Sequence, residues 1–535
     1  MLLYFRHSVN QSEDMHRSFK IHCVILSLVL LVGVNSAARP VFGQWDERPI
    51  GRDSDGNILN AIVPEASDNK LPRVLVIGGA KWLTTQSPKA FDKVAAVSAI
   101  DFPIQEHEFP PVGTAYNKGD VAALYLWRWI GAEGFDMVFI VGDEGETLKT
   151  ALETHGVGLV GKVPCRLVAT PQDVKTFLLT KGVAQAEPES AAARIHQRKQ
   201  RTPVEVATAL SNHYGKQLKK IEYIPSLAVI GRQRLGELTG NTMLNDQANT
   251  VIDPWLGRNH KVTGRTPGGS AVAGYLVFAD AFRRNHDERC QEIVLDVASV
   301  GLDKKTGQPV DIVPNHSQMS DSVFMDGPLL AVAGRLSDDP RYYEACRNHI
   351  RSMQKLCLRD DGIYRHSPLD EAAWGRGNGF PALGLALVLS ELPTDWSGRG
   401  EILKSFQDHI AALVKHQDAT GMWHQVVDRP ESYREFTSTC MITFAMLRGM
   451  RRGWLDSETY QESADRGWNA IKSRIGLNGR DLTDVCTGTG KQKDLDAYFH
   501  RTAILGRDDR GGAMALMVAT ERAFWEREHE QAKTK

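Results

Sequence analysis

Glycine-containing turns recur at a nearly constant interval through the second half of this chain. Gly307, Gly362, Gly421 and Gly479 are 55, 59 and 58 residues apart, and each interval holds two segments with helical apolar periodicity. Such a repeat is typical of helical hairpins that pack on their neighbours. Hairpins of this kind either stack as an open solenoid or close into a ring. The repeat region spans roughly 300 residues, or five to six hairpins, so the sequence predicts a mainly α fold, an (α/α)6 six-hairpin toroid, with the solenoid as the alternative.

Strand signals precede that region. Three apolar runs are typical of buried strands: Arg73–Ile77, 135–141 and 165–169. With the helical stretch 121–130 between them, they predict a small α/β domain with a parallel sheet over residues 71–183. The charged stretch 184–205 predicts a linker, and residues 206–535 form the helical domain. No zinc motif, P-loop or dinucleotide fingerprint follows these strands, which predicts a non-catalytic α/β domain.

The N-terminus has the features of a secretory signal in their usual order. Arg17 and Lys20 precede an apolar run over residues 24–34, and small residues follow it. An apolar core of roughly 11 residues is too short for a bilayer span, which needs about 20. We therefore expect a signal peptide at residues 1–38, export to the periplasm or the extracellular space, and no stable membrane insertion, with a membrane anchor as the alternative. The polar residues 39–70 predict a flexible segment.

The charge and the cysteines exclude several classes of function. The formal net charge is −1, whereas nucleic acids and anionic membranes favour basic partners. Neither a nucleic acid nor an anionic membrane is therefore expected as the main partner.

Six cysteines lie beyond the signal segment, without a C-x-x-C pair or a ligand-like spacing to histidine. They predict buried free thiols and no metal site.

Polar and aromatic residues follow the glycine turns of the repeat. His316, His366 and the pair Trp423-His424 come shortly after successive turns. In a closed ring of hairpins these turns meet at one end, and loops on one face of a rigid scaffold commonly carry binding residues. A single histidine of this kind is more often a surface or packing residue, but the repetition favours a substrate-binding funnel.

The sequence WGRGNGF, residues 374–380, is the densest candidate patch. Glycine inside a helix costs about 1 kcal/mol relative to alanine, so three of them favour close approach to a ligand at a helix N-terminus. Arg376 offers a planar fork for a carboxylate, Trp374 offers a flat face for a sugar ring, and Asn378 lies beside them. The alternative is a glycine-rich turn with a packing tryptophan.

The segment SDSVFMDGP, residues 320–328, supplies a candidate catalytic acid. Asp321 precedes an apolar stretch, where aspartate is commonly a helix N-cap. As a general acid it would need burial or a neighbouring negative charge to raise its pKa. Asp326 lies five residues later and would point elsewhere on a helix.

Four motifs occur in order along the chain: SDSVFMDGPLLA, DDGIYRH, WGRGNGF and GMWHQVV. Their order and spacing, over residues 227–523, resemble glycoside hydrolase families 88 and 105, the unsaturated glucuronyl and rhamnogalacturonyl hydrolases. The resemblance implies a six-hairpin α/α barrel. It also implies an enzyme that does not use the two-carboxylate displacement. Such an enzyme hydrates the C4=C5 double bond of an unsaturated uronic acid at the non-reducing end of lyase-generated oligosaccharides, without a metal or cofactor.

The resemblance also implies roles for individual residues. Asp321 matches the general acid/base that begins a D-x-x-[FY]-M motif. Substrate binding is implied for the pocket histidines, the W-x-R-G-N group and the residues after the next turn: His316, His366, Trp374, Arg376, Asn378, Trp423 and His424.

One feature of those families is missing. They carry a second functional aspartate near a helix start, about one repeat before the acid/base, whereas residues 266–271 read TPGGSA. Either another carboxylate substitutes for it, or the substrate and chemistry differ. The alternatives are another enzyme of the same architecture, such as a polysaccharide lyase or sugar epimerase, and a non-catalytic carbohydrate-binding protein.

Overall fold

A computed structural model of the chain describes residues 45–65, 71–113, 120–183, 189–256 and 267–533. The predicted signal peptide lies outside the described residues. Among the helices that are described, none combines the length and apolar character that a bilayer crossing requires.

The first part of the chain forms a six-stranded sheet with four helices. Its strands are β1 (Trp45–Arg52), β2 (Ile58–Pro64), β3 (Arg73–Ile77), β4 (Ala96–Ile100), β5 (Met137–Val141) and β6 (Cys165–Val168). Its helices are α1 (Ala80–Thr84), α2 (Val121–Glu133), α3 (Glu146–Thr154) and α4 (Pro171–Thr180). The strand order is β1-β2-β4-β3-β5-β6, with β4, β3, β5 and β6 parallel. The predicted small α/β region is confirmed.

The antiparallel hairpin of β1 and β2 extends this sheet on the β4 side. The prediction of a flexible segment over residues 39–70 is therefore wrong for residues 45–64. Ile50, Ala61 and Val63 are buried in the hairpin, and this buried apolar area holds it on the sheet. Pro49 and Gly51 interrupt the alternation of apolar residues, which hid the strand signal in the sequence.

The rest of the chain is mainly helical, as predicted. Its first six helices are α5 (Ala191–Gln200), α6 (Pro203–Ser211), α7 (Tyr223–Thr239), α8 (Thr242–Leu256), α9 (Gly269–Gly274) and α10 (Leu276–Asn285). They are followed by α11 (Glu288–Ala298), α12 (Ser322–Met325), α13 (Gly327–Ser337), α14 (Pro340–Cys357), α15 (Gly375–Glu391) and α16 (Arg399–Val414). The last are α17 (Phe436–Arg451), α18 (Ser457–Ser473), α19 (Leu495–Phe499) and α20 (Asp509–Lys533). Two short pairs of strands are β7 (Trp423–His424) with β8 (Arg434–Glu435), and β9 (Leu482–Cys486) with β10 (Ala503–Gly506).

These helices pack as pairs. The pairs in contact are α7 with α8, α10 with α11, α13 with α14, α15 with α16, α17 with α18, and α20 with α6. One member of each pair also contacts its counterpart in the next pair, in the order α7, α10, α13, α15, α17, α20, and α20 packs again on α7. One hydrophobic core runs through all of them.

The repeated turns lie where the sequence predicted them. Gly307, Gly362, Gly421 and Gly479 all have positive φ angles, between 66° and 92°, a conformation that glycine adopts without steric cost. The cysteine prediction is also confirmed, because the six described cysteines are buried free thiols.

Helix α5 occupies the predicted linker and joins the two regions. Ile195 packs into the core of the α/β region. On the opposite side, Arg198 donates to the carbonyl of Ser473 at 2.7 Å, and Arg201 donates to that of Ile475 at 2.7 Å. The linker is thus a docked helix.

Candidate active site

Asp321 lies directly before α12 and is held by its neighbours. Oγ of Ser320 donates to the carbonyl of Gly377 at 2.6 Å, and the backbone N–H of Ser320 donates to that of His366 at 2.9 Å. The Asp321 side chain makes no capping hydrogen bond to α12, so an N-cap role does not account for it. Only 6% of the residue is exposed, which shields its carboxyl group from bulk water.

A carboxyl, an imidazole and a phenol form a chain of contacts here. Oδ2 of Asp321 lies 3.1 Å from Nε2 of His366, and Nδ1 of His366 lies 2.8 Å from the hydroxyl of Tyr498. Neither of the first two atoms has a hydrogen-bond partner among the described residues, so they approach closely without hydrogen-bond geometry. Because the Tyr498 hydroxyl accepts from the backbone N–H of Gln492, its own proton is free to be donated to Nδ1 of His366. Burial raises the pKa of Tyr498 to about 12, so the phenol is protonated at neutral pH. The hydrogen bond from Tyr498 orients the imidazole of His366 beside Asp321, the potential acid/base.

Tyr498 was not predicted from the sequence. It lies on α19, in the segment that connects β9 to β10, outside the repeated turns that guided the prediction. Its carbonyl accepts from Nε2 of Gln425 at 3.0 Å, and its hydroxyl accepts from the backbone N–H of Gln492 at 3.2 Å. The contact with His366 depends on the path of this connection, and no sequence motif marks it.

Trp374 lies next to His366 and Arg376 lies over Trp374, and both side chains are buried. The rings of Trp374 and His366 are 4.4 Å apart, and the guanidinium of Arg376 lies 4.7 Å from the centre of the Trp374 ring. Arg376 donates to the carbonyls of Cys486 at 2.7 Å and Thr487 at 2.6 Å. Trp374 therefore packs against the His366 ring, and Arg376 packs against Trp374. Direct contact of either side chain with a sugar stays a prediction.

Asn378 has a structural role in this fold. Its Oδ1 accepts from the backbone N–H of Tyr364 at 2.7 Å, and its Nδ2 donates to the carbonyls of Tyr364 at 2.8 Å and Trp374 at 3.0 Å. The amide thereby joins the turn before His366 to the start of α15. Its amide is occupied by these backbone groups, and substrate binding by Asn378 stays a prediction.

The glycines of residues 374–380 also differ from expectation, because they lie inside the first turns of α15. A Cβ at Gly375 would lie 2.5 Å from the carbonyl oxygen of His424, and one at Gly377 would lie 3.1 Å from Oγ of Ser320. One at Gly379 would lie 3.0 Å from the sulfur of Met441. These glycines allow protein segments to approach one another, and a ligand is not needed to explain them.

Trp423 and His424 also have structural partners. Trp423 is fully buried in the helical core, and its indole N–H donates to the carbonyl of Leu413 at 2.7 Å. Nδ1 of His424 lies 2.6 Å from the carbonyl oxygen of Ser432, and its Nε2 lies 3.5 Å from Oδ2 of Asp418. Both side chains are buried, and their contact with a substrate stays a prediction.

His316 lies beside a second buried carboxyl group, that of Asp326. Asp326 accepts from Nδ2 of Asn315 at 2.6 Å and from Oγ of Ser322 at 3.2 Å, and lies 3.6 Å from Nε2 of His349. Burial raises the pKa of Asp326, and it lowers the pKa of His349. His316 is half-buried and within electrostatic range of Asp326.

Asp326 also approaches the stretch where the expected second aspartate is missing. A Cβ built on Gly269 would lie 3.7 Å from Oδ2 of Asp326 and 2.9 Å from Cβ of Met325. Any side chain at position 269 would therefore collide with Met325 of α12. The carboxyl group of Asp326 lies at the edge of the space that such a side chain would occupy.

Cationic and phenolic groups complete the surroundings of Asp321. Tyr223, at the start of α7, is within electrostatic range of Asp321, Arg376 and Arg510. The Arg510 side chain is 17% exposed and donates to the carbonyl of Cys486 at 3.3 Å. Lys491 donates to Oε1 of Gln318 at 3.2 Å, close to Asp321 in the chain. None of these three residues was predicted from the sequence, because they lie outside the four motifs.

Within the residues described, no three histidine, cysteine, aspartate or glutamate side chains are grouped closely enough to hold a metal ion. The predicted site residues lie in three places. Asp321, His366, Trp374 and Arg376 form one cluster, and His316 lies at the neighbouring Asp326. Asn378, Trp423 and His424 serve the surrounding framework.

Comparisons with known proteins match the helical region. The family model described as Glycosyl Hydrolase Family 88 matches residues 200–524. The unsaturated 3S-rhamnoglycuronyl hydrolase of Formosa agariphila is 25% identical over 178 residues, covering 30% of this chain and 47% of that protein. The unsaturated rhamnogalacturonyl hydrolase YesR of Bacillus subtilis is 25% identical over 207 residues, covering 37% of this chain and 58% of that protein.

The chain thus spans about half the length of these curated relatives. Among solved structures, a glycosyl hydrolase family 88 protein from Bacteroides vulgatus aligns with a TM-score of 0.51 at 18% identity. The alignment covers 61% of this chain and all of that protein. At this identity the likeness concerns the fold alone.

Proposed function

The chain belongs to glycosyl hydrolase family 88, and from this membership we propose that it hydrates the C4=C5 double bond of an unsaturated uronic acid at the non-reducing end of lyase-generated oligosaccharides. Family membership supports a glycoside hydrolase. The names of both curated relatives describe hydrolases of unsaturated glycuronyl or galacturonyl groups, which supports the substrate class.

The proposed scaffold is an (α/α)6 toroid. The six helical pairs support it, since each contacts the next and α20 packs again on α7. In such a ring, the segments that precede α12 and α15 lie at one end. Asp321 and the turn that carries His366 come from these segments, which is how residues far apart in sequence share one site.

The observation that carries the proposal is the contact of Asp321 with His366, itself bound to Tyr498. In the proposed reaction Asp321 gives a proton to C4, the oxygen of a water molecule bonds to C5, and a proton from that water returns to Asp321. The resulting hemiketal opens the sugar ring to a ketone at C5, and the hemiacetal at C1 then releases the linked sugar as an alcohol. His366 and Tyr498 hold the Asp321 carboxyl group in position.

Asp326 is our candidate for the second carboxyl group. Its position beside Gly269 supports this role, because Gly269 lies in the stretch 266–271 where the expected aspartate is missing. Its raised pKa favours a neutral carboxyl group, which can donate a hydrogen bond to a sugar hydroxyl. His316, half-buried next to it, would bind an adjacent hydroxyl.

The substrate carboxylate requires a cation. Arg376 is charged but both its terminal nitrogens are bound to carbonyl groups. Arg510 lies in the same cluster and is more exposed. We propose that its guanidinium binds the substrate carboxylate, while Arg376 stays buried beside it. This chemistry requires neither a metal nor an organic cofactor.

The experiment that tests the function is absorbance of the unsaturated-uronide band. Purified protein would be mixed with lyase-generated oligosaccharides from pectin, rhamnogalacturonan and glycosaminoglycans. Loss of absorbance is expected for at least one of them, because hydration removes the conjugated double bond. A rise of absorbance with intact polysaccharide would instead identify a lyase, and no change across the panel would contradict the proposal.

We also propose export of the protein, on the basis of the signal-like residues 1–38. N-terminal sequencing of the protein recovered from periplasmic and culture fractions tests this. A mature N-terminus shortly after the small residues at 35–38 is expected, and an intact Met1 in the cytoplasmic fraction would contradict export.

A further inference from the structure

A cavity lies between the sheet and the helical region, separate from the residues around Asp321. Its volume is about 270 Å³, near the lower end of ligand pockets, which hold about 300–1,000 Å³. Its walls come from both regions of the chain and carry five basic side chains: Arg48, Arg73, Lys199, Arg434 and Arg474. The acidic residues in the lining are Glu65 and Glu133.

The four arginines each have an acidic neighbour. The pairs are Arg48 with Asp46 at 2.7 Å, Arg73 with Glu133 at 3.8 Å, Arg474 with Asp484 at 3.1 Å, and Arg434 with Asp418. Lys199 differs, because its ammonium group forms no ion pair or hydrogen bond with any residue that the structure describes. It projects from α5, the helix between the two regions.

Around Lys199 the basic neighbours Arg73, Arg474 and Lys472 outnumber the acidic one, Glu133. The pKa of Lys199 is lowered to about 8, chiefly by burial and also by these basic neighbours. Burial lowers the pKa of Lys472 as well. Cations with lowered pKa values indicate a region where a further negative charge would be stabilised.

We propose that this cavity binds a small oxyanion, either the carboxylate of a sugar acid or an inorganic sulfate or phosphate, with Lys199 and Arg73 as its charged contacts. Ser98 and Thr420 add hydroxyl groups to the wall. Since Arg73 belongs to the sheet, Lys199 to α5 and Arg434 to the helical region, the bound anion would hold the two regions together. This site does not depend on the proposed reaction.

The test is the melting temperature of the full chain at constant ionic strength. Sodium sulfate, sodium phosphate and sodium glucuronate are titrated separately, with sodium chloride and neutral glucose as references. At least one oxyanion is expected to raise the melting temperature with saturation, as a ligand of the folded state must. The three titrations show whether the anion is inorganic or a sugar acid.

Lys199→Met is the decisive variant. Without oxyanion it is expected to melt at a higher temperature than the wild type, because an unpaired, partly buried ammonium group destabilises the fold. The affinity of the variant for the oxyanion, measured by calorimetry, is expected to fall by about tenfold or more. Lys199→Arg, which keeps the charge, should retain binding.

The matched control is Lys404→Met, since Lys404 is an exposed lysine paired with Asp408 on α16. It should leave the oxyanion effect unchanged. Asp321→Asn should also retain the effect, which separates this site from the proposed active site. The proposal is overturned if no oxyanion gives a saturable shift, if Lys199→Met retains full affinity, or if Asp321→Asn abolishes the shift.

Discussion

The hydroxyl of Tyr498 lies 2.8 Å from Nδ1 of His366, although 132 residues separate the two in the chain. The contact joins the turn before α15 to the connection between β9 and β10. That connection is also held by the α/β region, because Arg128 on α2 donates to the carbonyl of Ala503 and lies 3.3 Å from Asp484. The α/β region thus holds the connection that carries Tyr498.

Tyr498→Phe tests the chain of contacts at Asp321. The variant loses the donor that orients His366, so kcat is expected to fall by about tenfold or more with little change in KM. The rate is measured from loss of absorbance of the unsaturated uronide. Tyr460→Phe, on the outer helix α18, is the control and should behave as the wild type. A normal kcat for Tyr498→Phe would remove Tyr498 from the proposed site.

Asp321→Asn tests the proposed acid/base. Its kcat is expected to fall by about a hundredfold or more, because the amide cannot exchange a proton, while substrate binding measured by calorimetry is retained. Asp395→Asn, at an exposed turn, is the control. A variant as active as the wild type would exclude Asp321 as the acid/base and leave a lyase or a binding protein as the alternative.

Asp326→Asn is expected to raise the melting temperature and to lower the activity, so the two effects can be measured independently. Burial raises the folded-state pKa of Asp326, so its carboxyl group ionises more readily in the unfolded chain, and this favours unfolding at neutral pH. A neutral amide of the same shape should therefore raise the melting temperature at pH 7. The gain should shrink as the pH falls below the ordinary aspartate value, about 3.9, where the carboxyl group is neutral in both states. Activity should decrease if Asp326 is the second carboxyl group, and unchanged activity would assign it a packing role.

Glu521→Gln should destabilise the fold strongly. Glu521 is fully buried and paired with Arg234, Arg448 and Arg451, and the arginines hold its pKa well below the usual range despite burial. Breaking a buried ion pair costs about 3–5 kcal/mol, measured by urea unfolding. Glu462→Gln, on an exposed face of α18, is the control.

The lowered pKa of Glu521 also predicts how the free energy of unfolding changes at low pH. Because its folded-state pKa is lowered, its contribution to stability is present above the ordinary glutamate value of about 4.3 and is lost as the pH falls below it. The difference in unfolding free energy between the wild type and Glu521→Gln should therefore narrow in acid. A constant difference from pH 7 to pH 3 would contradict this.

Arg128→Ala tests the dependence of the active site on the α/β region. Loss of its contacts with Ala503 and Asp484 is expected to loosen the connection that carries Tyr498 and to lower kcat severalfold. Arg166→Ala, at the far strand β6, is the control for a change confined to the α/β region. Equal kcat in Arg128→Ala and the wild type would show that the connection keeps its structure without α2.

The sequence located two members of the candidate cluster for different reasons. Asp321 begins a recognisable motif and directly precedes α12, whereas His366 follows the repeated turn at Gly362. Trp423 follows a turn in the same way, yet it is buried, because its indole N–H binds the carbonyl of Leu413. Local sequence indicates the position of a residue within its turn. Whether its side chain is exposed depends on residues of other repeats that pack around it.

Local sequence by itself determined the helical hairpins, the glycine turns between them, three of the four parallel strands and the family, because periodic apolar residues and positive φ angles are properties of short segments. It did not indicate β4 (Ala96–Ile100). Only the tertiary structure decided the partners of His366, the proximity of Asp326 to Gly269 and the cavity around Lys199. Each of these joins segments far apart in sequence, and their approach is governed by the burial of the shared core.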